Sequence, residues 1–192
     1  MIEAFQEFLY HWPDLTEEDI GFICSLGELR NYDKKVIVTN LGEQEGYIHL
    51  VLHGLVRKYF YLGKKEIITQ IAKEKEFINS SVSFITSRPS EYIIETIEPT
   101  VCMSFKREHI DLLMSSGKKY KRLIRTILMQ LLIDKEKWEI ERVEYNTKER
   151  FAHFIQNNSE LFRRVPQKYL ASYLNIQPET FSRLKHTLKK AH

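Results

Sequence analysis

Two helix signals near the C-terminus are separated by a turn so short that the two helices must pack against each other. The first segment has four apolar or aromatic residues at helical spacing: Tyr169, Leu170, Tyr173 and Leu174. The second segment opens with Pro178, whose missing N–H costs nothing in the first turn of a helix. Its apolar stripe consists of Phe181, Leu184 and Leu188. The pattern therefore predicts a helix-turn-helix.

The residues between the two segments fit a tight turn. Asparagine enters the left-handed region at little cost, so Asn175 is expected to end the first helix while Ile176 fills the corner. Six residues are then predicted to face inward: Leu170, Ala171, Leu174, Ile176, Phe181 and Leu184. The outer face of the second helix would carry side chains that read base edges or hold phosphates: Glu179, Thr180, Ser182, Arg183, Lys185 and His186. Gln167, at the start of the first helix, is predicted to contact a phosphate.

The charge distribution favours double-stranded DNA as a partner over a helical hairpin that is merely solvated. Residues 118–192 contain 17 Lys and Arg against 8 Asp and Glu, a net charge of +9. Residues 1–117 contain 12 against 18, a net charge of −6, and the whole chain carries +3. A basic C-terminal third behind an acidic body is expected of a nucleic-acid-binding module attached to a domain with another role.

Length and composition limit the remaining possibilities. At 192 residues the chain can form one larger and one small domain. No apolar run approaches the ~18 residues of a membrane span, and the N-terminus lacks a secretory signal, which predicts a cytoplasmic protein without a membrane partner. Cys24 and Cys102 are far apart and flanked by apolar residues, so buried reduced thiols are expected rather than a disulfide.

The region between residues 29 and 105 has the character of a β domain. Short runs rich in β-branched and aromatic residues begin at Val36, Tyr47, Leu55, Glu66, Tyr92 and Thr100. Glycine, asparagine, proline or charge clusters separate them, which predicts an antiparallel sandwich or barrel without a helical crossover. Two short helices precede it: an amphipathic one over residues 2–10, and one capped by Thr16 that ends near Leu26.

A helix over Glu108 to Met114 and then a long helical segment follow the β region. A nearly heptad-spaced seam runs along the long segment: Tyr120, Ile124, Ile127, Leu131 and Trp138. Three further residues widen the apolar face: Leu123, Leu128 and Leu132. One apolar side of this helix can pack on the β domain, and the remaining apolar side then needs a partner. A homodimer through this helix is therefore predicted. The alternative is a helix packed wholly within its own chain.

This order of elements resembles the Crp/Fnr family of bacterial transcription regulators. The most specific piece is LASYLNIQPETFSRLK, residues 170–185, which is similar to the family signature Ala-x-x-Leu-Gly-x-x-x-Glu-x-x-Ser-Arg with Asn175 where glycine is usual. A less specific piece is HLVLHGLVRKYF, with Gly54 at the turn. The resemblance implies a sequence-specific DNA-binding transcriptional regulator, in which Glu179, Ser182 and Arg183 contact bases and phosphates. RNA polymerase is a further candidate partner.

The resemblance also implies an α+β fold with three parts. Residues 1–116 would form an antiparallel β-roll of the cyclic-nucleotide-binding type, a double-stranded β-helix with a helical cap. Residues 117–143 would form a long dimerisation helix, and residues 144–192 a small all-α helix-turn-helix domain. The sequence ends at His192, which predicts no β-hairpin wing after the second helix and fewer backbone contacts per subunit.

The effector pocket departs from family members that bind cyclic AMP. Their Gly-Glu pair aligns with Asn79 and Ser80, and their Arg-Ser pair with Ser90 and Glu91. A cyclic phosphate would lose its cationic partner and face a carboxylate, a contact costing on the order of several kcal/mol. We therefore do not expect cyclic AMP as an effector; the sequence leaves open whether a small-molecule effector exists, and one that does would be neutral or weakly polar. Its candidate pocket consists of Phe77, Asn79, Ser80, Ser81, Ser83, Ser90 and Glu91.

Two alternative functions belong to other classes. His49 and His53 are four apart in a predicted strand and would point to one face, with Glu43 and Glu45 just before them, which would suit a cupin-like metal-binding sensor or enzyme. They lack the His-x-His spacing of cupins, so no metal is predicted. A protein-interaction module that never meets DNA is the other alternative. No phosphate loop, HExxH motif, Gly-x-Ser-x-Gly elbow or cysteine cluster is present, so neither catalysis nor a cofactor is expected.

Overall fold

A computed structural model describes residues 2–190 of the chain, with side chains to residue 187. Eight strands form the β region: β1 (Glu28–Tyr32), β2 (Ile37–Thr39), β3 (Tyr47–His53), β4 (Val56–Leu62), β5 (Lys65–Ala72), β6 (Phe77–Ile78), β7 (Ile93–Thr96) and β8 (Thr100–Lys106). Five helices precede, interrupt or follow them: α1 (Ile2–Tyr10), α2 (Glu17–Leu26), α3 (Ser81–Thr86), α4 (Arg107–Ser115) and α5 (Lys118–Glu144). Four more complete the described chain: α6 (Thr147–Asn157), α7 (Ser159–Arg164), α8 (Gln167–Tyr173) and α9 (Pro178–Lys190).

The chain divides into two compact units. The first, called the sensor unit here, comprises Met1–Phe60 and Gln70–Leu131. The second, the C-terminal unit, comprises Tyr61–Thr69, which is the tip of the β4–β5 hairpin, and Leu132–His192. The domain boundaries given by the sequence, 1–116, 117–143 and 144–192, stay a prediction, since α5 contributes residues to both compact units.

The strands form two four-stranded antiparallel sheets, together called the β-roll. Their orders are β1-β8-β3-β6 and β2-β7-β4-β5. In the first sheet β3 pairs with β8, so that His49 lies opposite Ser104, and the register shifts between Val51 and His53. Gly54 follows β3 with φ of 97°. A Cβ there would lie 2.5 Å from the Pro99 carbonyl oxygen, so this turn requires glycine. The predicted α+β fold with an antiparallel β-roll is confirmed.

Two apolar clusters stabilise the sensor unit. One lies between the first sheet and the helices that cover it, and its fully buried members include Phe5, Leu9, Leu50, Met103 and Leu113. The other lies between the sheets, and its members include Val51, Val56, Ile78, Ile94 and Cys102. Cys24 and Cys102 are both buried and free, as predicted. Burial of these apolar side chains is the main force that holds helices and sheet together.

Helix α2 begins as its sequence predicts. The Thr16 hydroxyl accepts from the Asp19 backbone N–H, and the Asp19 carboxylate accepts from the Thr16 backbone N–H, which together form a capping box. Asp19 is buried, and its other oxygen accepts a hydrogen bond from the Tyr120 hydroxyl at 2.6 Å. Lys119 also pairs with it. The bonds from Lys119, Tyr120 and Thr16 hold the pKa of Asp19 far below its usual range and connect α2 to the start of α5.

The β region contains elements that the sequence patterns did not predict. The patterns predicted no helical crossover, and the short helix α3 lies between β6 of the first sheet and β7 of the second. The segment is only six residues long and contains three serines and threonines, so it carries no helical period of its own. Strands β1 and β6 and helix α7 were also not predicted, because β1 is mostly polar and the other two are very short.

Candidate functional site

The turn between α8 and α9 has the geometry expected of a helix-turn-helix. Asn175 adopts φ of 53°, in the left-handed region, which confirms the role predicted for it. The Ile176 N–H donates to the Ala171 carbonyl at 2.8 Å and the Leu174 N–H to the Leu170 carbonyl at 2.9 Å. These bonds satisfy the last carbonyl groups of α8 and turn the chain directly into α9.

A small apolar core holds the two helices together. Five of the six residues predicted to face inward are buried: Leu170, Ala171, Leu174, Ile176 and Phe181. Leu184, the sixth, is half-buried. The Phe181 ring meets Phe151 edge-on at 5.0 Å and lies 6.3 Å from Phe162. These aromatic contacts fix the rotation of α9, and therefore decide which of its residues face outward.

The outward face of α9 carries four of the predicted DNA-contacting residues. Glu179, Arg183 and His186 are exposed, and Ser182 beside them is half-buried. Arg183 lies one turn after Glu179, and its guanidinium donates to the Thr180 hydroxyl at 3.2 Å. Thr180 is half-buried at the edge of this face. Gln167 is exposed at the first position of α8.

Lys185 lies at the side of α9 rather than on its outward face. It is half-buried, and its ammonium nitrogen stands 5.5 Å from the centre of the Phe162 ring. A cation held over an aromatic ring keeps its charge at a fixed place on the surface. This position suits a contact with a neighbouring phosphate better than a contact with a base edge.

A buried arginine ties α6 to the helix-turn-helix. Arg150 donates from Nε to the Leu174 carbonyl at 2.9 Å, and from Nη1 to the carbonyls of Arg142 and Tyr145 at 3.1 and 2.9 Å. Its side chain crosses from α6 to the end of α8, where the turn begins. Burial, together with the nearby Arg142 charge, lowers the pKa of Arg150. No pattern in the sequence singles out this residue.

Two further contacts of the C-terminal unit involve α8. The Ser172 hydroxyl accepts from the Ile68 N–H at 3.0 Å and donates to the Glu66 carbonyl at 2.8 Å, so it satisfies backbone groups of the hairpin tip. The next residue, Tyr173, stacks on Trp138 with ring centres 4.4 Å apart. No sequence signal marks Ser172, because its partners lie more than a hundred residues earlier.

In the sensor unit, three of the predicted pocket residues form one buried polar cluster. Ser80, Ser83 and Ser90 are all buried, and the hydroxyl oxygens of Ser80 and Ser90 are 2.8 Å apart. The Ser83 hydroxyl accepts from the Glu45 N–H at 2.9 Å and donates to the Arg88 carbonyl at 2.6 Å. The serines therefore satisfy each other and the backbone around α3.

The carboxyl group at this cluster belongs to Glu45 and not to Glu91. Glu45 is buried, and its Oε2 accepts from the Thr39 hydroxyl at 2.9 Å and from the Ser80 N–H at 3.2 Å. Burial raises the pKa of Glu45. Glu91, which the sequence placed at the pocket, is exposed. The backbone amide of Ser80 thus already has an acceptor from within the chain.

The other three predicted pocket residues line a separate cavity. Phe77, Asn79 and Ser81 form part of the wall of a cavity of about 320 Å³ within the sensor unit. Ser81 donates from its hydroxyl to the Asn79 side-chain oxygen at 2.9 Å. The seven residues predicted as one pocket are therefore divided between the buried serine cluster, this cavity and, for Glu91, the surface.

No protein-family model and no curated protein matches the sequence. Solved structures do match. CLP from Xanthomonas campestris, a c-di-GMP responsive global regulator, superposes with a TM-score of 0.70 and 19% identity over 90% of this chain and 91% of its own. FixK2 from Bradyrhizobium japonicum gives a TM-score of 0.70 and 20% identity over 86% and 85% of the two chains.

A protein from Eubacterium rectale assigned to the Crp/Fnr family of transcriptional regulators gives a TM-score of 0.69 with 17% identity, over 96% of this chain and 88% of its own. The chain has the Crp/Fnr fold. The resemblance read from the sequence is thereby confirmed for the fold.

Within this Crp/Fnr fold, the predicted dimer seam of α5 mostly contacts its own chain. Tyr120 is buried, Ile124 and Ile127 pack partly against the sensor-unit core, Leu131 is half-buried, and Trp138 stacks on Tyr173. The role of this seam in a dimer stays a prediction. The exposed apolar side chains of α5 are instead Leu128, Met129, Leu132, Ile133, Ile140 and Val143. The heptad spacing marked an apolar helix but did not show which stripe faces inward.

The pair of histidines does not share one face. His49 is buried, whereas His53 lies beyond the register shift in β3 and its side chain is 68% exposed. The bulge breaks the alternation on which the sequence argument depended. Among residues 2–190, no group of three or more histidine, cysteine or acidic side chains is arranged to hold a metal ion. In the same part of the chain, no helix is long and apolar enough to cross a membrane.

We expect the buried His49 to make the chain less stable in acid. Its Nδ1 lies 2.8 Å from the Ser104 hydroxyl, while Nε2 has no hydrogen-bond partner and is 3.9 Å from Glu45 Oε1. Burial and the Arg30 charge lower the pKa of His49 to about 4. The unfolded chain therefore binds the extra proton first, and this contribution to the free energy of unfolding falls as pH drops from about 6.5 to about 4.

Denaturant titrations at about pH 7.5 and about pH 4.5 measure this loss. Between the two pH values, the free energy of unfolding of the wild type should fall by roughly 2 to 3 kcal/mol more than that of a His49→Gln variant. The raised pKa of Glu45 has the opposite effect, because it increases the free energy of unfolding as pH falls. Glu45 is present in both proteins, so its effect cancels in the comparison. The exposed His53→Gln is the matched control and should behave as the wild type. Equal losses in wild type and His49→Gln would show that His49 does not carry this dependence.

Proposed function

We propose that this chain is a sequence-specific DNA-binding transcriptional regulator and that α9 is its recognition helix. The observation that carries the proposal is the outward face of α9, where Glu179, Ser182, Arg183 and His186 stand on a buried core that fixes their direction. A helix of this kind, following a tight turn, is what the major groove admits. The basic balance of residues 118–192 supports the same partner.

The chemistry of this face suits direct reading of bases. A guanidinium such as that of Arg183 matches the two acceptors of guanine, and a carboxylate such as that of Glu179 accepts from the amino group of cytosine. Lys185 at the side of the helix and Gln167 at the start of α8 would contact phosphates. Base contacts would then supply the sequence specificity, and phosphate contacts would fix the position of the protein along the duplex.

The regulator is proposed to act as a homodimer through α5. Leu128, Met129, Leu132 and Ile133 expose 54%, 53%, 51% and 40% of their surface, and neighbouring turns of one helix rarely expose so much apolar area without a partner. A second copy of α5 would cover them. A two-fold dimer presents two recognition helices and therefore needs an operator with inverted repeats.

Neither cyclic AMP nor cyclic GMP is proposed as the effector. The Ser80 amide, at the position aligned with the Gly-Glu pair of the relatives that bind cyclic AMP, already bonds to the buried Glu45 carboxyl. A phosphate placed there would have to displace that carboxyl or lie against it, at a cost on the order of several kcal/mol. DNA binding is therefore expected without either nucleotide.

Selection of bound sequences from a random double-stranded pool by the purified chain tests the proposal. We expect one enriched motif with inverted half-sites about one helical turn apart, and light scattering should give the mass of two chains. A duplex with a single half-site is the matched control and should bind roughly 100-fold more weakly than the full operator. Enrichment of no sequence would reject DNA recognition and leave the protein-interaction module.

A further inference from the structure

The cavity of about 320 Å³ in the sensor unit has two walls without any polar side chain. One wall is formed by Phe5, Phe8 and Leu9 of α1, and the other by residues of α5 that include Leu123, Ile124 and Ile127. Such a surface gains free energy when an apolar molecule replaces water on it, at about 25 cal/mol per Å². The body of a molecule bound here must therefore be apolar.

The polar groups of the cavity come from the remaining side, at α3 and α4. Asn79 and Ser81 stand at the start of α3, and Arg107 and Asp111 lie on the first two turns of α4. Arg107 donates one hydrogen bond, from Nη1 to the Ile85 carbonyl at 2.7 Å. Within residues 2–190 no carboxylate forms an ion pair with Arg107. Its remaining N–H groups and its charge are available to an anionic group.

The volume of the cavity lies in the range of small-molecule sites. A methylene group takes up about the volume of a water molecule, near 30 Å³. The cavity therefore holds an apolar chain of about ten carbon atoms.

We propose that this cavity binds an amphiphile with an apolar body of about ten carbons and a carboxylate head that pairs with Arg107. The inference rests on the proposed function, since it names the effector class of that regulator. Leu123, Ile124, Ile127 and Leu131 of α5 line the cavity, and α5 also carries the exposed apolar face proposed for dimerisation. Filling the cavity changes the side-chain packing beneath that helix, and ligand binding therefore affects dimerisation.

Calorimetry of the full chain with decanoate, 1-decanol and decyltrimethylammonium tests the proposal, because the three probes share one chain length and differ in the head. We expect one decanoate per chain, with decanol about tenfold weaker and the cation weaker still. Arg107→Gln should lower the affinity for decanoate about tenfold and change the affinity for decanol by no more than about twofold. Arg88→Gln, which removes a neighbouring exposed cation outside the cavity, should change neither affinity.

A cavity-filling variant separates this site from nonspecific adsorption. Ile110→Trp places a larger side chain in the cavity and should reduce the affinity for all three probes by more than tenfold. If Ile110→Trp fails to fold, the comparison of wild type with the surface variant Arg107→Gln still tests the site. Absence of decanoate binding, the tightest binding for the cation, or wild-type decanoate affinity in Arg107→Gln would each overturn the proposal. Since the titrations contain no DNA, their failure leaves the recognition helix untouched, and a failed DNA selection leaves the ligand site untouched.

Discussion

An alanine at Arg183 is expected to remove most of the preference for the selected operator. The side chain is exposed on the outward face of α9, and its bond to the Thr180 hydroxyl already holds it in place. One two-point contact with guanine is worth ~1–3 kcal/mol of discrimination, and a dimer makes it twice. The affinity for the operator should therefore fall by roughly 2–6 kcal/mol, while the affinity for random DNA falls much less.

Lys185→Ala is the matched control, because it removes a cation from the same helix but from its side. In the wild type, the Lys185 ammonium lies over the Phe162 ring rather than on the outward face. The variant should lose affinity for all sequences alike, and the slope of log K against log salt should decrease by about one. Gel-shift titrations of operator and random duplexes at several salt concentrations measure both effects. Should Arg183→Ala keep the wild-type ratio between operator and random DNA, α9 is not the recognition helix.

The helix-turn-helix could be predicted because its determinants are local. Asn175 enters the left-handed region for reasons that belong to its own side chain, and the apolar residues of α8 and α9 follow one helical period. The same holds for Thr16 and Asp19, which are three residues apart and form the expected capping box. Such features need no knowledge of the rest of the chain.

The parts that could not be predicted depend on residues brought together by folding. Glu45 and Ser80 are 35 positions apart, and nothing in either segment shows that a carboxyl group will bond to that amide. A bulge in β3 separates His49 from His53, although their spacing places both on one face of a regular strand. In α5 two apolar stripes could face the core, and the stripe that does includes Tyr120 and Leu123, which pack against residues distant in sequence.

The largest effect on folding is expected at Arg150, which a sequence pattern cannot distinguish from other surface arginines. It is only 9% exposed, and its three hydrogen bonds all go to backbone carbonyls: one at the end of α8 and two at the end of α5 and just after it. Methionine preserves much of the side-chain volume but cannot donate. Carbonyl groups left buried without a donor cost about 1–3 kcal/mol each when they find no water.

We therefore expect Arg150→Met to reduce the stability of the C-terminal unit by roughly 3 kcal/mol. Amide hydrogen exchange in α6, α8 and α9 should then become about 100-fold faster, since each 1.36 kcal/mol is a factor of ten, while exchange in the sensor unit stays unchanged. Lys148→Met is the matched control, because Lys148 is exposed on the same helix and its side chain donates no hydrogen bond to these carbonyls. Operator binding by Arg150→Met should fall as well, since the end of α8 positions the turn before the recognition helix. Exchange rates in α8 equal to those of Lys148→Met would contradict the role assigned to Arg150.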